Sequence, residues 1–327
     1  MKNGKKLMKR ILALALCAVL TVSALALGGC SKEKTAVRAG ALKGPTGLGI
    51  LELMEQDANG KTQNDYEFLI AGAPDEITAK LLSGELDIAA IPTNLASVLY
   101  NKTSGGVQLL AINTLGVLYV LEIGDSVQSI ADLEGRTLYS TGIGSTPEYA
   151  LNYILAQNGL EGKVTVEYKS EHSELAALMA SGEVDLCLLP QPFVTSVTTQ
   201  NPDVRIALDL QQEWENCSDA PLAMACIVVR SEFAKENPKA VEQFMKEYEE
   251  SVNYAVNNVE ETAQLAEKYD IMNAAVAQKA IPYCNIVFIS GNEMKSAAEQ
   301  LFAVLLDAQP TSIGGAVPGE DFYYLGK

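Results

Sequence analysis

The sequence has few of the residues that most catalytic and metal centres need. It contains a single histidine, His172, in 327 residues. One histidine is too few for an H-E-x-x-H zinc site and argues against a multi-histidine metal centre or a serine–histidine–aspartate triad. No G-x-x-x-x-G-K run occurs, which excludes a Walker-type phosphate loop. We therefore predict no catalytic residue, no metal and no cofactor.

Basic residues are also scarce. The chain has 24 lysines and arginines against 41 aspartates and glutamates, a formal charge of −17. Nucleic-acid binding needs a basic face that neutralises phosphates, so we expect no nucleic-acid partner. The first 29 residues hold five of the bases and none of the acids, so the remainder carries a formal charge of −22. Anionic lipid headgroups should repel such a surface.

Six cysteines are present, but no C-x-x-C spacing suggests metal or redox chemistry. Cys17 and Cys30 lie in or just after the N-terminal apolar run. The others are Cys187, Cys217, Cys226 and Cys284. An exported protein can form disulfides, but the sequence does not pair these four.

The N-terminus has the pattern of an export signal. Met1–Arg10 is basic, Ile11–Leu27 is an apolar run of 17 residues, and L-G-G-C follows, ending at Cys30. A membrane-spanning helix needs about 20 apolar residues, although an uncleaved anchor is the alternative. The ending resembles a bacterial lipobox, with Gly28 a minor departure. That resemblance implies that Cys30 is diacylated and becomes the new N-terminus, tethering the protein to a membrane.

An internal repeat appears at an offset of 98 residues. Residues 76–92 read EITAKLLSGELDIAAIP and residues 174–190 read ELAALMASGEVDLCLLP, with seven of 17 positions identical. The same offset aligns Gly44 with Gly142, each in a loop rich in glycine and threonine. Duplication explains both matches; the alternative is convergence of two ordinary strand–helix–strand units.

Strands and helices alternate in each copy, which predicts parallel sheets with right-handed crossovers. The strands and helices predicted before each repeated segment are Val37–Leu42, Leu48–Gln56 and Tyr66–Ala71, then Arg136–Ser140, Glu148–Gln157 and Lys163–Tyr168. Residues 232–307 are predicted mainly helical, with a long helix opened by Pro238 and an extra strand over Asn285–Ile289.

These segments, in this order, resemble the solute-binding lipoproteins of ABC importers with the type II periplasmic-binding-protein fold. The subgroup resembled binds aliphatic sulfonates, nitrate or thiamine pyrimidines. The resemblance runs from Thr35 to about Gly319. The segments that carry it are AGALKGPTG, LLSGELDIAAIPTN, SIADLEGRTLYSTGIGSTPEYAL and ASGEVDLCLLPQPFVT.

The resemblance implies an α/β fold of two duplicated, doubly wound lobes that close on a ligand. The apolar runs Val117–Ile123 and Ala223–Arg230 would be two hinge strands joining the lobes. The implied domains are a lipoprotein signal peptide over 1–29, a tether over 30–36, lobe 1 over 37–116 with 222–327, and lobe 2 over 117–221.

Ligands of open α/β sheets bind beyond the carboxyl ends of the strands. The predicted ligand-binding residues are Lys43, Gly44, Thr46, Thr93, Asn94, Tyr119, Thr141, Gly142, Ser145, Thr146, Gln191 and Phe193. Lys43 would pair with a ligand carboxylate or sulfonate; the alternative is a solvated loop lysine. The hydroxyl and amide groups would hydrogen-bond the ligand, or else cap helices and turns.

The aromatic residues allow two interpretations. Tyr119 and Phe193 would stack on a flat ligand or seal the cleft, although an aromatic in an apolar run such as that of Tyr119 more often belongs to the core. Trp214 lies in a polar run at an unknown distance from the cleft. His172 is more typical of a helix start than of a ligand contact.

The expected function is a transport receptor that captures a small organic solute outside the cytoplasm. The scarcity of bases favours a neutral or singly charged molecule. Expected partners are an ABC permease and its ATPase subunits, the ligand, and the membrane through lipid on Cys30; we expect a monomer. The alternatives are a ligand-sensing lipoprotein and, less favoured, an enzyme similar to the pyrimidine synthases related to the thiamine-pyrimidine binders.

Overall fold

Two β-sheets organise the protein, whose structure is a computed structural model. It describes residues 34–143 and 145–326. The predicted signal peptide and Cys30 lie outside the described residues. We call the part built on the first sheet lobe 1 and the part built on the second sheet lobe 2.

The first sheet has six strands in the order β11-β4-β10-β3-β1-β2. Their bounds are β1 Ala36–Leu42, β2 Asp65–Ala71, β3 Ile88–Pro92, β4 Val107–Thr114, β10 Ala225–Arg230 and β11 Ile286–Ile289. The second sheet has five strands in the order β7-β6-β8-β5-β9. Their bounds are β5 Leu118–Ile123, β6 Thr137–Ser140, β7 Thr165–Tyr168, β8 Leu186–Pro190 and β9 Val204–Asp209.

Helices connect the strands of both sheets. The helices that precede β10 are α1 Leu51–Ala58, α2 Pro74–Ser83, α3 Thr93–Thr103, α4 Thr146–Gln157, α5 His172–Ser181, α6 Phe193–Gln200 and α7 Leu210–Glu215. Those of the C-terminal part are α8 Ser231–Glu236, α9 Pro238–Asn257, α10 Val259–Lys268, α11 Ala274–Ala280 and α12 Gly291–Ala308. Of the helices described, none is both long and apolar enough to cross a membrane.

The duplication predicted at an offset of 98 is visible in the structure. Helices α2 and α5, and strands β3 and β8, begin and end 98 residues apart. Both helices end at a glycine in the left-handed conformation, Gly84 with φ 77° and Gly182 with φ 79°. Only glycine takes this conformation without a steric penalty, which explains the Ser-Gly pair in both copies.

The sheets are mixed rather than parallel, which corrects one expectation. Strands β1, β2 and β3 run parallel, as do β6, β7 and β8. The two apolar runs expected to be hinge strands instead lie inside the sheets. β10 pairs antiparallel with β3 and β4, and β5 pairs antiparallel with β8 and β9. Their mostly apolar sequence reflects burial on both faces. The chain crosses between the sheets through residues 115–117 and 216–224.

The first Gly-rich loop does not enter an α-helix directly, which differs from the helix predicted over Leu48–Gln56. A 3₁₀ helix over Pro45–Ile50 comes first, and α1 follows. Pro45 fixes the first turn, and a Cβ on Gly47 would lie 2.3 Å from the Leu42 carbonyl oxygen. That close approach requires glycine and holds the loop against the end of β1.

Both faces of the first sheet are buried, which is the doubly wound arrangement. Along β3, Ala89 and Ile91 join the core beneath α2, α3 and α12, while Ile88 and Ala90 join the core beneath α1 and α9. Because side chains alternate along a strand, a strand buried on both faces must be apolar throughout. The cysteines at 187, 217, 226 and 284 are all free.

A buried carboxylate ties three strands of lobe 1 together. Asp87, with its side chain 2% exposed, accepts bonds from the Arg38 backbone and guanidinium and from Arg230. Burial opposes its ionisation, but the bonds from both arginines outweigh burial and lower the pKa of Asp87 below its ordinary 3.8. The contribution of these bonds to stability should therefore be complete at neutral pH and fade as pH falls below 3.8.

We predict that Asp87→Asn lowers the free energy of unfolding by about 3 kcal/mol at pH 7, because it leaves two arginines without their buried anion. Denaturant titration measures the loss, which should shrink toward pH 3. Glu134→Gln is the control, since Glu134 pairs with Lys163 at 3.2 Å with both side chains more than half exposed; its cost should stay below about 1 kcal/mol. Equal costs for the two variants would contradict the role of Asp87.

Candidate functional site

A cavity of about 250 Å³ lies between the two sheets, where both connections cross. Its walls come from loops at the carboxyl ends of β1, β3 and β6 and from the ends of β4 and β10. The lining residues are Pro45, Thr46, Pro92, Asn94, Thr114, Val117, Ser145, Thr146, Pro147, Met224 and Ala225. Four predicted ligand residues meet here, namely Thr46, Asn94, Ser145 and Thr146.

Helix starts from both lobes converge on this cavity. Pro92 and Asn94 flank the first residue of α3, and Thr146 is the first residue of α4. The first amides of a helix lack intrahelical partners, and the helix dipole favours negative charge there. The Thr146 side chain adds a hydroxyl at the cavity wall, where the residue is 7% exposed. The cavity can therefore donate hydrogen bonds to a polar acceptor.

Among the described residues that line this cavity, none has a charged side chain. The remaining surface is apolar, with Val117 and Met224 completing the wall beside the hydroxyls. Asn94 donates its amide N–H to the Ser312 carbonyl at 3.2 Å, which orients its oxygen as the free end. This arrangement suits a small molecule with an acceptor for the hydroxyls, a donor for the Asn94 oxygen and an apolar body, held without a formal counter-charge.

Lys43 and Gly44 do not belong to the cavity lining. The Lys43 ammonium lies 2.5 Å from the Asp270 carboxylate, and both side chains are exposed. Gly44 has φ 94°, a conformation that favours glycine, and its carbonyl accepts the Gly47 amide at 3.0 Å. The role predicted for Lys43, pairing with a ligand anion, would require this surface ion pair to open first.

The Gly-rich loop of lobe 2 is held by the single histidine. The Thr141 hydroxyl lies 2.5 Å from His172 Nδ1, and the Phe193 ring packs against the imidazole at 5.3 Å between centroids. In the same loop, Gly142 has φ 78° and its carbonyl accepts the Ser145 hydroxyl. Thr141, Gly142 and Phe193 thus support the cavity wall without belonging to its lining. From the sequence, His172 is assigned only to a helix start.

Thr93 and Gln191 occupy equivalent positions of the two copies, directly after β3 and β8. Both are buried, and Thr93 Oγ1 and Gln191 Nε2 have no hydrogen-bond partner among the residues described. The Thr93 hydroxyl lies near the Cys226 thiol. Burial raises the pKa of this thiol to about 12, and the Thr93 hydroxyl acts in the opposite direction. Gln191 Oε1 accepts the Thr195 hydroxyl at 2.8 Å. Neither residue lines the cavity described above.

Tyr119 and Trp214 both lie in the core. Tyr119 is 2% exposed, and its hydroxyl donates to the Tyr283 carbonyl at 2.8 Å, a contact between the lobes. Burial is the main reason that the pKa of Tyr119 lies above its ordinary value. Trp214 is fully buried, donates to the Ala220 carbonyl and packs on Tyr153. The structure therefore places Tyr119 in the core, as the alternative given above predicted. Trp214 is also a core residue, and it does not line the cavity.

Several lining residues are not identified by the sequence. Thr114 and Val117 lie at the two ends of one crossing between the sheets, and Met224 and Ala225 lie together where the other crossing enters β10. The sequence marks them only as parts of connecting segments. One sequence feature could have identified these four residues, because each lies at the end of an apolar strand beside a connecting link. Residues in such positions lie at the interface between the lobes.

The family of the chain follows from comparison with known proteins. A family profile described as Menaquinone biosynthesis matches residues 49–306. The chain belongs to this family. A protein of Brucella abortus named as a candidate binding protein is 23% identical over 187 residues. That match covers 57% of this chain and 56% of the relative, so it spans little more than half of each protein.

Solved structures show the same fold. An ABC transporter from Parabacteroides distasonis is 24% identical and superposes with a TM-score of 0.76, covering 89% of this chain and 99% of its own. The periplasmic aliphatic sulphonate-binding protein SsuA from Escherichia coli is 14% identical, with a TM-score of 0.70 over 89% and 92%. The periplasmic nitrate-binding protein NrtA from Synechocystis is 16% identical, with a TM-score of 0.58 over 86% and 84%. The predicted two-lobe type II fold is confirmed.

We predict that the stability of the protein depends on His172 in mildly acid solution. Burial lowers the pKa of His172 below its ordinary 6.5, an effect that the nearby Glu171 charge opposes. The unfolded chain therefore binds the proton more readily, and stability should fall as pH drops below 6.5. Melting temperatures measured from pH 7.5 to 5 should fall less steeply for His172→Gln than for the native chain. Carboxylates are common to both proteins, so parallel curves would contradict the assignment.

Proposed function

We propose that this protein is the extracytoplasmic substrate-binding lipoprotein of an ABC importer. It captures a small organic solute between its two lobes and delivers the solute to a membrane permease driven by ATPase subunits. The observation that carries the proposal is the cavity between the sheets, where helix starts and hydroxyls from both lobes meet beside the two chain crossings. A ligand that contacts both lobes there stabilises their closed arrangement.

The chemistry of the lining residues limits the classes of solute that the cavity would bind. Thr46 and Thr146 offer hydroxyls from opposite lobes, while Val117 and Met224 offer apolar surface. A sulfonate-like molecule would place its acceptor oxygens on the hydroxyls and helix starts, and a thiamine-pyrimidine-like heterocycle would place ring nitrogens there. Similar folds named for sulphonate and nitrate binding support the first class. A multiply charged anion is disfavoured because no base is found among the described lining residues.

An enzymatic role is the second candidate, because the family profile is described by a biosynthetic route. The cavity gives this role little support. Its described lining holds hydroxyls and an amide but no histidine, carboxylate, cysteine or lysine that would act as a general base. His172 supports the wall through Thr141 and does not line the cavity. We therefore favour binding without chemistry.

Native mass spectrometry of protein purified without denaturation tests both candidates. A retained mass that returns unaltered after long incubation fits a binding protein. A product of altered mass, absent when heat-denatured protein is used, would assign the enzyme role instead. A retained molecule would also reveal its class, whether sulfonate or heterocycle.

We predict that Thr146→Val weakens binding of the recovered solute about tenfold, since removal of one hydrogen bond costs on the order of 1.4 kcal/mol. Thr46→Val should act similarly from the opposite lobe. Thr165→Val is the matched control, because Thr165 lies exposed on β7 away from the cavity lining. Titration calorimetry gives the affinities, and melting curves check the fold of each variant. Folded variants at 146 and 46 with native affinity would place the solute elsewhere.

We predict that Cys30 anchors the protein to the membrane. Replacement of Cys30 by Ala should abolish fatty-acid labelling and move the protein from the membrane fraction to the soluble extracytoplasmic fraction, because the acidic surface has no affinity for anionic headgroups. Cys17→Ala, within the predicted signal, should leave both properties unchanged. A Cys30→Ala protein that stays membrane-bound would favour the uncleaved anchor.

A further inference from the structure

A second cavity lies between the lobes, on the side of α6 and the edge strand β9. Its volume is about 260 Å³, slightly below the usual range for small-molecule sites. The lining residues are Gln191, Val194, Thr195, Thr198, Thr199, Val204, Arg205, Ile206, Lys279 and Tyr283. Lys279 and Tyr283 come from the C-terminal part of lobe 1, and all others come from lobe 2.

The charged side chains that line this cavity are both positive. Arg205 and Lys279 line it without an acid among the described lining residues, in a chain whose acids outnumber its bases 41 to 24. Arg205 is already engaged, with bonds to the Glu122 carboxylate and to the Gly124 and Val127 carbonyls. Lys279 is different, because its ammonium donates across the lobe boundary to a neutral hydroxyl, that of Thr199, at 3.3 Å. No ion pair accompanies that bond within residues 34–143 and 145–326.

One buried hydrogen-bond donor among the residues that line this cavity lacks an acceptor. Gln191 is 3% exposed, and its Nε2 has no partner in the part of the chain that the structure describes. Its Oε1 is occupied by the Thr195 hydroxyl and backbone amide, which fixes the amide orientation and leaves the N–H groups as the free end. The Thr198 hydroxyl donates to the Val194 carbonyl. Because burial of a donor without an acceptor is unfavourable, an acceptor is the missing component.

Apolar side chains form the rest of the wall. Val194, Val204 and Ile206 line one side, and Tyr283, 45% exposed, lies at the lobe boundary. A ligand that satisfies both parts of the cavity has one anionic acceptor group and a compact apolar body. The volume leaves room for a small ring or a short branched chain, not for a nucleotide or a peptide.

We propose that this cavity is a second binding site, distinct from the one between the helix starts, and that it takes a small monocarboxylate. The carboxylate accepts hydrogen bonds from Gln191 Nε2 and Lys279 Nζ, and the apolar body packs on Val194 and Ile206. Because Lys279 belongs to lobe 1 and Gln191 to lobe 2, occupancy links the lobes and stabilises their present arrangement. This proposal does not depend on the identity of the solute carried in the first cavity.

Benzoate and its neutral analogue benzamide test the proposal on the native chain. Heteronuclear NMR titration should show benzoate shifting the amide signals of α6 and α11 at millimolar concentration, with benzamide at least tenfold weaker. Lys279→Gln should weaken benzoate binding about tenfold, and higher salt should weaken it for the native chain but little for the variant. Gln191→Leu, which fills a similar volume, should also weaken it.

Two control variants distinguish binding at this site from a general charge effect and from binding in the first cavity. Lys235→Gln removes a lysine of α8 in lobe 1, outside this cavity, and should leave benzoate affinity unchanged. Thr146→Val, in the first cavity, should also leave it unchanged, so the outcome does not depend on the proposed transport role. The proposal is overturned if benzoate does not bind, if benzamide binds equally well, or if Lys279→Gln and Lys235→Gln weaken benzoate equally.

Discussion

The exchange of one strand between the halves of the chain is the constraint on which the rest of the structure depends. Strand β5 follows the first copy along the chain but pairs within the second sheet, and β10 follows the second copy but pairs within the first. Each lies between two strands and is buried throughout most of its length. Lobe 2 takes its five strands from one continuous stretch, β5 to β9, whereas the sheet of lobe 1 is completed only when the chain returns with β10 and β11.

The two crossings also lie beside the cavity that we propose as the binding site. Thr114 and Val117 lie at one crossing, and Met224 and Ala225 lie at the end of the other, so residues of both crossings line the cavity. The strands on either side are hydrogen-bonded within the two sheets, whereas neither link belongs to a strand. Under the proposed function, rotation between the lobes would be absorbed in these links, and a ligand in the cavity would contact the residues that move. Binding and closure would then depend on the same residues.

The sequence is most informative where the chain repeats itself. Paired glycines at 84 and 182 and buried strands ending in Pro92 and Pro190 identify the copies, because each feature depends on local backbone or burial requirements. The strand exchange could not be predicted from the sequence. An apolar run that forms a central strand of a sheet has the same residue pattern as one that connects two sheets. The ion pair between Lys43 and Asp270 could not be predicted from the sequence either, because the two residues are 227 positions apart in the chain.

The two proposed sites differ in the groups that would bind a hydrogen-bond acceptor in a strongly acidic protein. A protein with a formal charge of −22 after residue 29 repels anions at long range, but that field decays over about 8 Å in physiological salt. Only groups inside the cleft then decide which acceptor binds. The first cavity, as proposed, would use hydroxyls and helix starts, whose partial charges can hold an acceptor with little long-range attraction. The second would use Lys279 and a buried amide, and would therefore discriminate by formal charge. A solute of the first cavity would then be selected by shape and hydrogen bonding rather than by charge.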